Sequence, residues 1–349
     1  MKAVIVSHEA EIRRRYLMSE STVYQDLADK LMMGHSDIVK RLFKMIADEE
    51  EAQLLLGMPA TPEQLAQSTG RSLEAIKKSL DLLFHKGLVF ISASSGKYRM
   101  CRDIVQFHDA SILWPEAPKE FHHLWKDFTD KEWGPTVRVI ESMIPRPPTR
   151  IIPVEAALEA KNQILHYENV REIVEKAKRI AVTRCTCRVV DGKCGLPVEA
   201  CIQINRAADY AITRGTGREI DKKEAMDIIK KAEEAGLVHV TINTDHIDHY
   251  ICNCCSDCCI GLKYMISEGT KFVSPSRFQA EVDEEACIGC ESCIDRCYFG
   301  AISVSGDDEL KASVNGEKCV GCGLCAVVCP SDAIHFNEVR PVDFIPTGS

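Results

Sequence analysis

Two runs of cysteine near the end of the chain constrain its fold more than any other feature. They read Cys287-Ile-Gly-Cys290-Glu-Ser-Cys293-Ile-Asp-Arg-Cys297 and Cys319-Val-Gly-Cys322-Gly-Leu-Cys325-Ala-Val-Val-Cys329-Pro330. In each run three thiols separated by two residues wrap three iron corners of one cubane, and the fourth is carried past that cubane toward its neighbour. The spacing therefore predicts crossed ligation, with Cys287, Cys290, Cys293 and Cys329 on one 4Fe–4S cluster and Cys319, Cys322, Cys325 and Cys297 on a second. Zinc matches less well, because a structural zinc site closes on four ligands of its own and has no use for a cysteine handed to the next site.

The two runs also form an internal repeat. Cys287 to Val304 aligns without a gap on Cys319 to Phe336, with Ala301-Ile302 against Ala333-Ile334, where a short strand is expected after each loop. On these residues the stretch 280–349 resembles the bacterial two-cluster ferredoxins, which implies a ferredoxin-like domain closed by a pseudo-twofold axis. Tyr298 departs from that pattern, which has proline there as at Pro330. The departure changes the backbone beside one cluster and removes no ligand.

The chain has 349 residues, enough for several cores, and 18 cysteines, more than packing requires. Its start, MKAVIVSHEA, lacks the regions of a secretory signal, and no apolar run approaches a membrane span. The expected setting is a reducing cytoplasm with no membrane partner, in an anaerobic host, because exposed cubanes are oxygen-labile. From Ala280 to Ser349 there are 13 acidic and 4 basic side chains, so the whole net charge of −9 resides in the tail. That charge favours a redox partner protein with a basic docking patch.

The expected fold class is α+β and multidomain, in five segments. Residues 1–36 are an N-terminal helical extension, with an apolar start at Ala3 to Val6 and then Tyr24, Leu27 and Leu31 at helical spacing. In 37–102, Ile38, Leu42, Met45 and Ile46 mark one helix. Thr61-Pro62-Glu-Gln opens a second that Gly70 ends, and Ser72 caps a third with Leu73, Ile76, Leu80 and Leu83 inward. Two strands follow, joined by Ser-Ser-Gly. Three helices and a hairpin resemble a winged helix-turn-helix, which implies a third helix laid in the major groove. The basic residues of that helix region are Arg71, Lys77, Lys78, His85 and Lys86, but 35–102 holds only 10 basic against 8 acidic residues. So small an excess ranks a scaffold for protein contacts above DNA binding. Residues 103–150 form an aromatic helical connector with Trp114, Trp125 and Trp133, expected as core or as the interface of a homodimer.

Residues 151–279 are the cysteine-rich α/β domain. A strand at Ile180 to Thr183 delivers Cys185-Thr-Cys187, expected on one side of an extended segment. Cys194 follows, and then Cys201 in a helix opened by Pro197. After a helix from Asp221 to Ala235, two strands lead into Cys252-Asn-Cys254-Cys255-Ser-Asp-Cys258-Cys259, expected to turn helical after Ser256. Crowded thiols in a reduced chain relieve their repulsion by binding soft metal, so these nine are candidate ligands of one or two additional iron–sulfur clusters, with structural zinc as the competing reading. Cys194 has the least claim, because Gly-Lys-Cys-Gly reads as a flexible turn. Cys101, alone at the end of the hairpin, reads as a core thiol.

The segments ILHYENVREIVEKAKRIAVTRCTCR, PVEAC and ICNCC, with the appended tail, resemble a group of iron–sulfur proteins of anaerobic bacteria and archaea. That resemblance implies cluster binding and supplies no substrate. The leading expectation is an electron-transfer protein. An iron–sulfur reductase with a substrate-binding central cluster, in which His239, His246, Asp248 and His249 donate protons, is one alternative. A redox-sensing DNA-binding regulator is another. Whether the chain is an oxidoreductase or the electron-transfer subunit of one stays open. Arg214-Gly-Thr-Gly217 follows a helix and lacks a third glycine, so it gives no support for NAD or flavin.

Overall fold

The computed structural model describes residues 23–92, 94–158, 161–246, 249–306 and 309–348. The apolar start at Ala3 to Val6 and the candidate proton donor Asp248 lie outside the described residues. The chain divides after Glu132 into two compact units, so the aromatic segment 103–150 is shared between them.

The first unit carries α1 (23–30), α2 (Asp37–Ile46), α3 (Glu49–Leu56), α4 (Pro62–Thr69), α5 (Leu73–His85), the hairpin β1 (Val89–Ile91) and β2 (Tyr98–Met100), α6 (Ile104–Ser111) and α7 (Lys119–Lys131). Local chemistry sets the helix ends. Thr61 and Gln64 close a reciprocal capping box with Pro62 in the first turn, Gly70 leaves α4 in the left-handed region at φ 71, and Ser72 accepts from Ala75 N–H to start α5. The short helix α3 was not expected; Asp48 and Glu51 cap it in the same way. In α2 the buried face is Val39, Leu42, Phe43 and Ile46, and in α5 Leu73 stays exposed while Ile76, Leu80 and Leu83 are buried.

The cations around α5 are mostly engaged. Lys86 Nζ meets Glu51 Oε2 at 3.1 Å and lies 5.7 Å from the Trp114 ring centroid. Arg71 reaches Ser79 Oγ and Glu50, and His85 faces Asp81. Lys77 and Lys78 are exposed. Trp125 is fully buried among Phe107, Phe121 and Phe128, so this ring is core rather than a surface for a second copy.

The second unit mixes helices with one large and two small sheets. It opens with α8 (Trp133–Met143), followed by β3 (Thr149–Ile152), α9 (Val170–Lys176), β4 (Ile180–Arg184), α10 (Thr186–Asp191), β5 (Glu199–Ile204), α11 (Arg206–Thr213), β6 (Gly217–Glu219), α12 (Lys222–Glu234), β7 (Val238–Ile242), β8 (Tyr250–Cys254), α13 (Leu262–Glu268) and β9 (Val273–Ser274). The strands join in the order β6-β4-β5-β8-β7-β3-β9, antiparallel except where β3 meets β9. Alternation along each strand divides the two faces. Val182, Ile202, Ile204 and Ile251 pack with Ile173, Val174, Ala225 and Ile229 of α9 and α12, whereas Ala181 meets Ala208 and Ala211 of α11. Each buried aliphatic side chain contributes about 1.5–3 kcal/mol, and this face is the main hydrophobic core of the sheet.

The chain then forms β10 (Phe278–Val282), α14 (Ser292–Arg296), β11 (Ile302–Ser305), β12 (Lys311–Val314), α15 (Leu324–Val327) and β13 (Ile334–Glu338). β10 pairs with β13 and β11 with β12. Val282 opposes Ile334 and Val314 opposes Ile302, so the displacement that carries Cys287 onto Cys319 also carries one ladder onto the other. The repeat seen in the sequence is thus a repeat of pairing.

A buried ionic node ties this end to the large sheet. Arg277, fully buried, donates from Nε to Glu168 Oε1 at 3.1 Å and from Nη2 to Glu338 Oε2 at 3.1 Å and to Gln163 O at 3.0 Å. Burial pushes the Glu168 carboxyl up while the Arg277 charge opposes it. Arg150 lies nearby, donating to Tyr167 O at 2.6 Å, and burial brings its pKa down to about 10. Removing one partner strands a charge in the interior. Arg277→Ala or Glu168→Ala is expected to cost about 3–5 kcal/mol of second-unit stability, read from chemical denaturation under anaerobic conditions; a loss under about 1 kcal/mol would mean the node is solvated.

Candidate metal centres

At the tail the two sequence runs interleave in space. Cys287, Cys290, Cys293 and Cys329 rim one cavity of ≈ 340 Å³, and Cys297, Cys319, Cys322 and Cys325 rim another of ≈ 330 Å³. The rest of each lining is largely apolar, including Val304, Ala312 and Ile334 in the first and Ala280, Ile302 and Val320 in the second. Four sulfurs around an apolar hollow are the donor set that a cubane requires, so the residues fit that group.

Backbone amides point at four of these sulfurs in symmetric pairs. Ala301 N–H reaches Cys297 Sγ at 3.4 Å and Ala333 N–H reaches Cys329 Sγ at 3.3 Å. Ala312 N–H reaches Cys287 Sγ and Ala280 N–H reaches Cys319 Sγ, both at 3.5 Å. Such donors favour the thiolate form and tune a bound cluster. Burial pushes Cys322 up to about 12 and Cys325 higher still, whereas the amide and hydroxyl of Ser292 lower the exposed Cys290.

The environments of the two sets differ. In the first, Cys290 is exposed and Ile288 stands 67 % exposed beside it. The second faces the large sheet: Cys322 O accepts from Val154 N–H at 3.0 Å, and Arg296 Nη2 donates to Glu234 O at 3.0 Å. Glu291 and Gly323 occupy the equivalent left-handed position, at φ 62 and φ 85. A Cβ at Gly323 would sit 2.6 Å from Val154 Cγ2 and 2.7 Å from Ala157 Cβ, so only that side requires glycine.

The nine central cysteines separate into two groups. Cys185, Cys187, Cys259, Cys254, Cys252 and Cys201 follow one another, thiol beside thiol, in a closed ring. Cys185, beside Cys187 and Cys201, and Cys259, beside Cys187 and Cys254, are held well below the ordinary thiol range by those neighbours. Cys187, Cys201 and Cys254 are pushed well above it by their thiol neighbours and by burial. Cys194, Cys255 and Cys258 form a separate triangle with all Sγ atoms within 4.8 Å of one another. Cys194, the weakest candidate on sequence, therefore has two thiol neighbours.

Three expectations about local structure are corrected. Cys201 lies in β5 rather than a helix; its segment Glu199–Ile204 alternates between two covered faces, a strand environment that Pro197 does not override. Cys185 caps α10, so Cys187 sits in a helical turn rather than on an extended segment. Residues 256–261 are turns, and α13 begins only at Leu262, because the Trp133 indole N–H takes the Ile260 carbonyl at 2.7 Å and the Leu262 amide turns to Cys259 Sγ at 3.5 Å.

Two further residues escaped sequence reading. Asn253 is fully buried: it takes His239 Nδ1 at 2.6 Å on Oδ1, donates from Nδ2 to Ala200 O at 2.7 Å, and thereby steers the strand between Cys252 and Cys254. His239 meets Glu233 on its other nitrogen at 3.1 Å, while His246 and His249 are exposed. Arg188, 2 % exposed, donates from Nη1 to Asn253 O at 2.9 Å, and its Nε and Nη2 are left facing sulfur. Burial opposes its charge, but Cys185, Cys255 and Cys201 outweigh that and raise its pKa. Its spacing from Cys187 gave no signal, because the contacts come from β8 and the loop after it. Cys101 is buried at the end of the hairpin, its N–H on Leu88 O.

Residues 280–336 match the family model of the 4Fe-4S dicluster domain. No curated protein is significantly similar to the chain. The match supports a C-terminal ferredoxin-like iron–sulfur domain and two 4Fe–4S clusters. Among the described residues, no helix is long and apolar enough to cross a membrane. Crowding at Gly323 makes a direct test of the second set: Gly323→Ala is expected to cost about 1–3 kcal/mol and to lower the iron content, while Glu291→Gly leaves both unchanged, read by denaturation and iron analysis.

Proposed function

We propose that this protein is an iron–sulfur electron-transfer protein, passing low-potential electrons between a soluble donor and a redox partner enzyme. Thiolate-ligated cubanes supply one-electron carriers of low potential when bound. Cys287, Cys290, Cys293 and Cys329 would hold one, Cys319, Cys322, Cys325 and Cys297 the second, and the ring of six central cysteines a further iron–sulfur centre. The observation that carries the reading is the unequal exposure of the two tail sets. Cys290 and Ile288 offer an accessible edge, whereas the loop of Cys322 and Gly323 is built against the large sheet that bears the six-cysteine ring.

The accessible edge is acidic, with Glu284, Glu285, Glu291 and Asp295 in the same stretch, and suits a partner with a basic patch around a small apolar contact. On the other side stands Tyr298, where the other repeat has Pro330. Its hydroxyl lies where a Cβ on Gly236 would be 2.6 Å away, so the residue after Cys297 reaches the turn between α12 and β7. The first unit reads better as a protein-contact scaffold than as a DNA reader, because most cations around α5 already have acidic or hydroxyl partners.

Two measurements test this. Anaerobically purified protein is expected to carry more than about 8 iron per chain, about 12 if the ring holds one cubane, with reduced-cubane signals in a redox titration followed by electron paramagnetic resonance. Iron-free or redox-silent protein would end the proposal. Ile288→Lys is expected to slow reduction by a soluble low-potential donor about tenfold while the absorption spectrum and potentials stay in place. An unchanged rate would place electron transfer at another surface.

A further inference from the structure

The triangle of Cys194, Cys255 and Cys258 differs in kind from every other cysteine set in the protein. Among the described residues it is the one group of three or more potential ligand atoms that all lie within 4.8 Å of one another. In the six-membered ring the contacts pass from each thiol to the next, and in the tail four sulfurs stand around cavities of ≈ 330 and ≈ 340 Å³. These spacings discriminate between metals. One tetrahedral ion with sulfur at about 2.3 Å separates its thiolates by about 3.8 Å, whereas a cubane carries each thiolate outward on its own iron and sets them farther apart.

We propose that Cys194, Cys255 and Cys258 hold a single soft metal ion of the zinc class, with its fourth position left for an exogenous thiol. Three protein ligands and one open position are the arrangement of reactive rather than structural zinc. The sulfurs are prepared to act as ligands. Cys255-Ser-Asp-Cys258 is a turn that brings its two thiols together, and the loop of Cys194 completes the triangle.

The ligand class follows from charge and lining. A divalent ion with three thiolates is a net anion, and a fourth thiolate makes it more so. Arg188, 2 % exposed and with Nε and Nη2 unpartnered, lies against Cys255 and offsets that charge. The wall is formed by Ala232, Ala235, Leu196 and Leu237 with the Cys187 side chain beside them, which disfavours a hard oxygen ligand and accepts sulfur. Access lies on the side of Cys194, which is half-buried between exposed Gly192 and Gly195, while Cys255 and Cys258 are buried.

The full-length protein, purified anaerobically, is compared with Cys194→Ser and Cys258→Ser for zinc, iron and acid-labile sulfide. About one zinc per chain is expected in the parent, reduced at least fivefold in each variant, with iron and sulfide unchanged. Zinc below about 0.2 per chain in the parent, or variants that lose iron instead, overturns the assignment. A measurement on the parent alone removes dependence on variants that fail to fold. After exchange of zinc for cobalt, sulfur-to-metal charge transfer and visible bands of a four-coordinate ion are expected, and titration with 2-mercaptoethanol shifts them. Bands indifferent to the thiol overturn the open position. The same metal counts keep this inference distinct from electron transfer: iron without zinc removes the zinc site alone, and zinc without iron removes the electron carrier alone.

Discussion

Hydrogen bonds to sulfur are the interaction around which the second unit is arranged. A thiolate in an apolar interior is costly unless donors face it, and donors are present at each of its cysteine sets. At the tail they are the amides of Ala280, Ala301, Ala312 and Ala333, placed by strands that pair under a pseudo-twofold relation. In the central field they are the Leu262 amide on Cys259 and the Arg188 guanidinium. The same strands that bury the aliphatic core therefore also orient the sulfurs.

The tail is not a ferredoxin tethered by a linker. Its second cysteine loop is joined to the large sheet through Val154 and Cys322 and through Gly323 against Val154 and Ala157, and Arg296, at the end of the first run, adds a bond to Glu234 of α12. The Arg277 node adds a charged tie that holds its geometry only while all partners are present. The first cysteine loop keeps an exposed edge. This asymmetry gives two chemically similar repeats different surroundings, one toward solvent and one toward the interior.

Buried polar side chains carry much of the precision in the central field. Asn253 sits between two ring cysteines and is held by His239 and Ala200, so its neighbours are presented on one face of β8. Trp133 fixes the turn after Cys259 through a single indole hydrogen bond. Arg188 lies between the ring and the triangle and shares its charge with both.

The sequence alone determined what depends on neighbours along the chain: the capping box at Thr61, the stop at Gly70, and the spacing that distributes each cysteine run over two cavities. The repeat of Ala301-Ile302 on Ala333-Ile334 was legible for the same reason, since equal spacing produces equal pairing. Tertiary structure decided what depends on residues far apart. Cys201 became a strand residue because both faces of β5 are covered, residues 256–261 stayed in turns because Trp133 claims the Ile260 carbonyl, and Cys194 gained two thiol partners because α12 and β7 bring the loops together. No local pattern encodes which distant donor reaches a given sulfur. That is settled only when the sheet closes and the unpaired groups find one another.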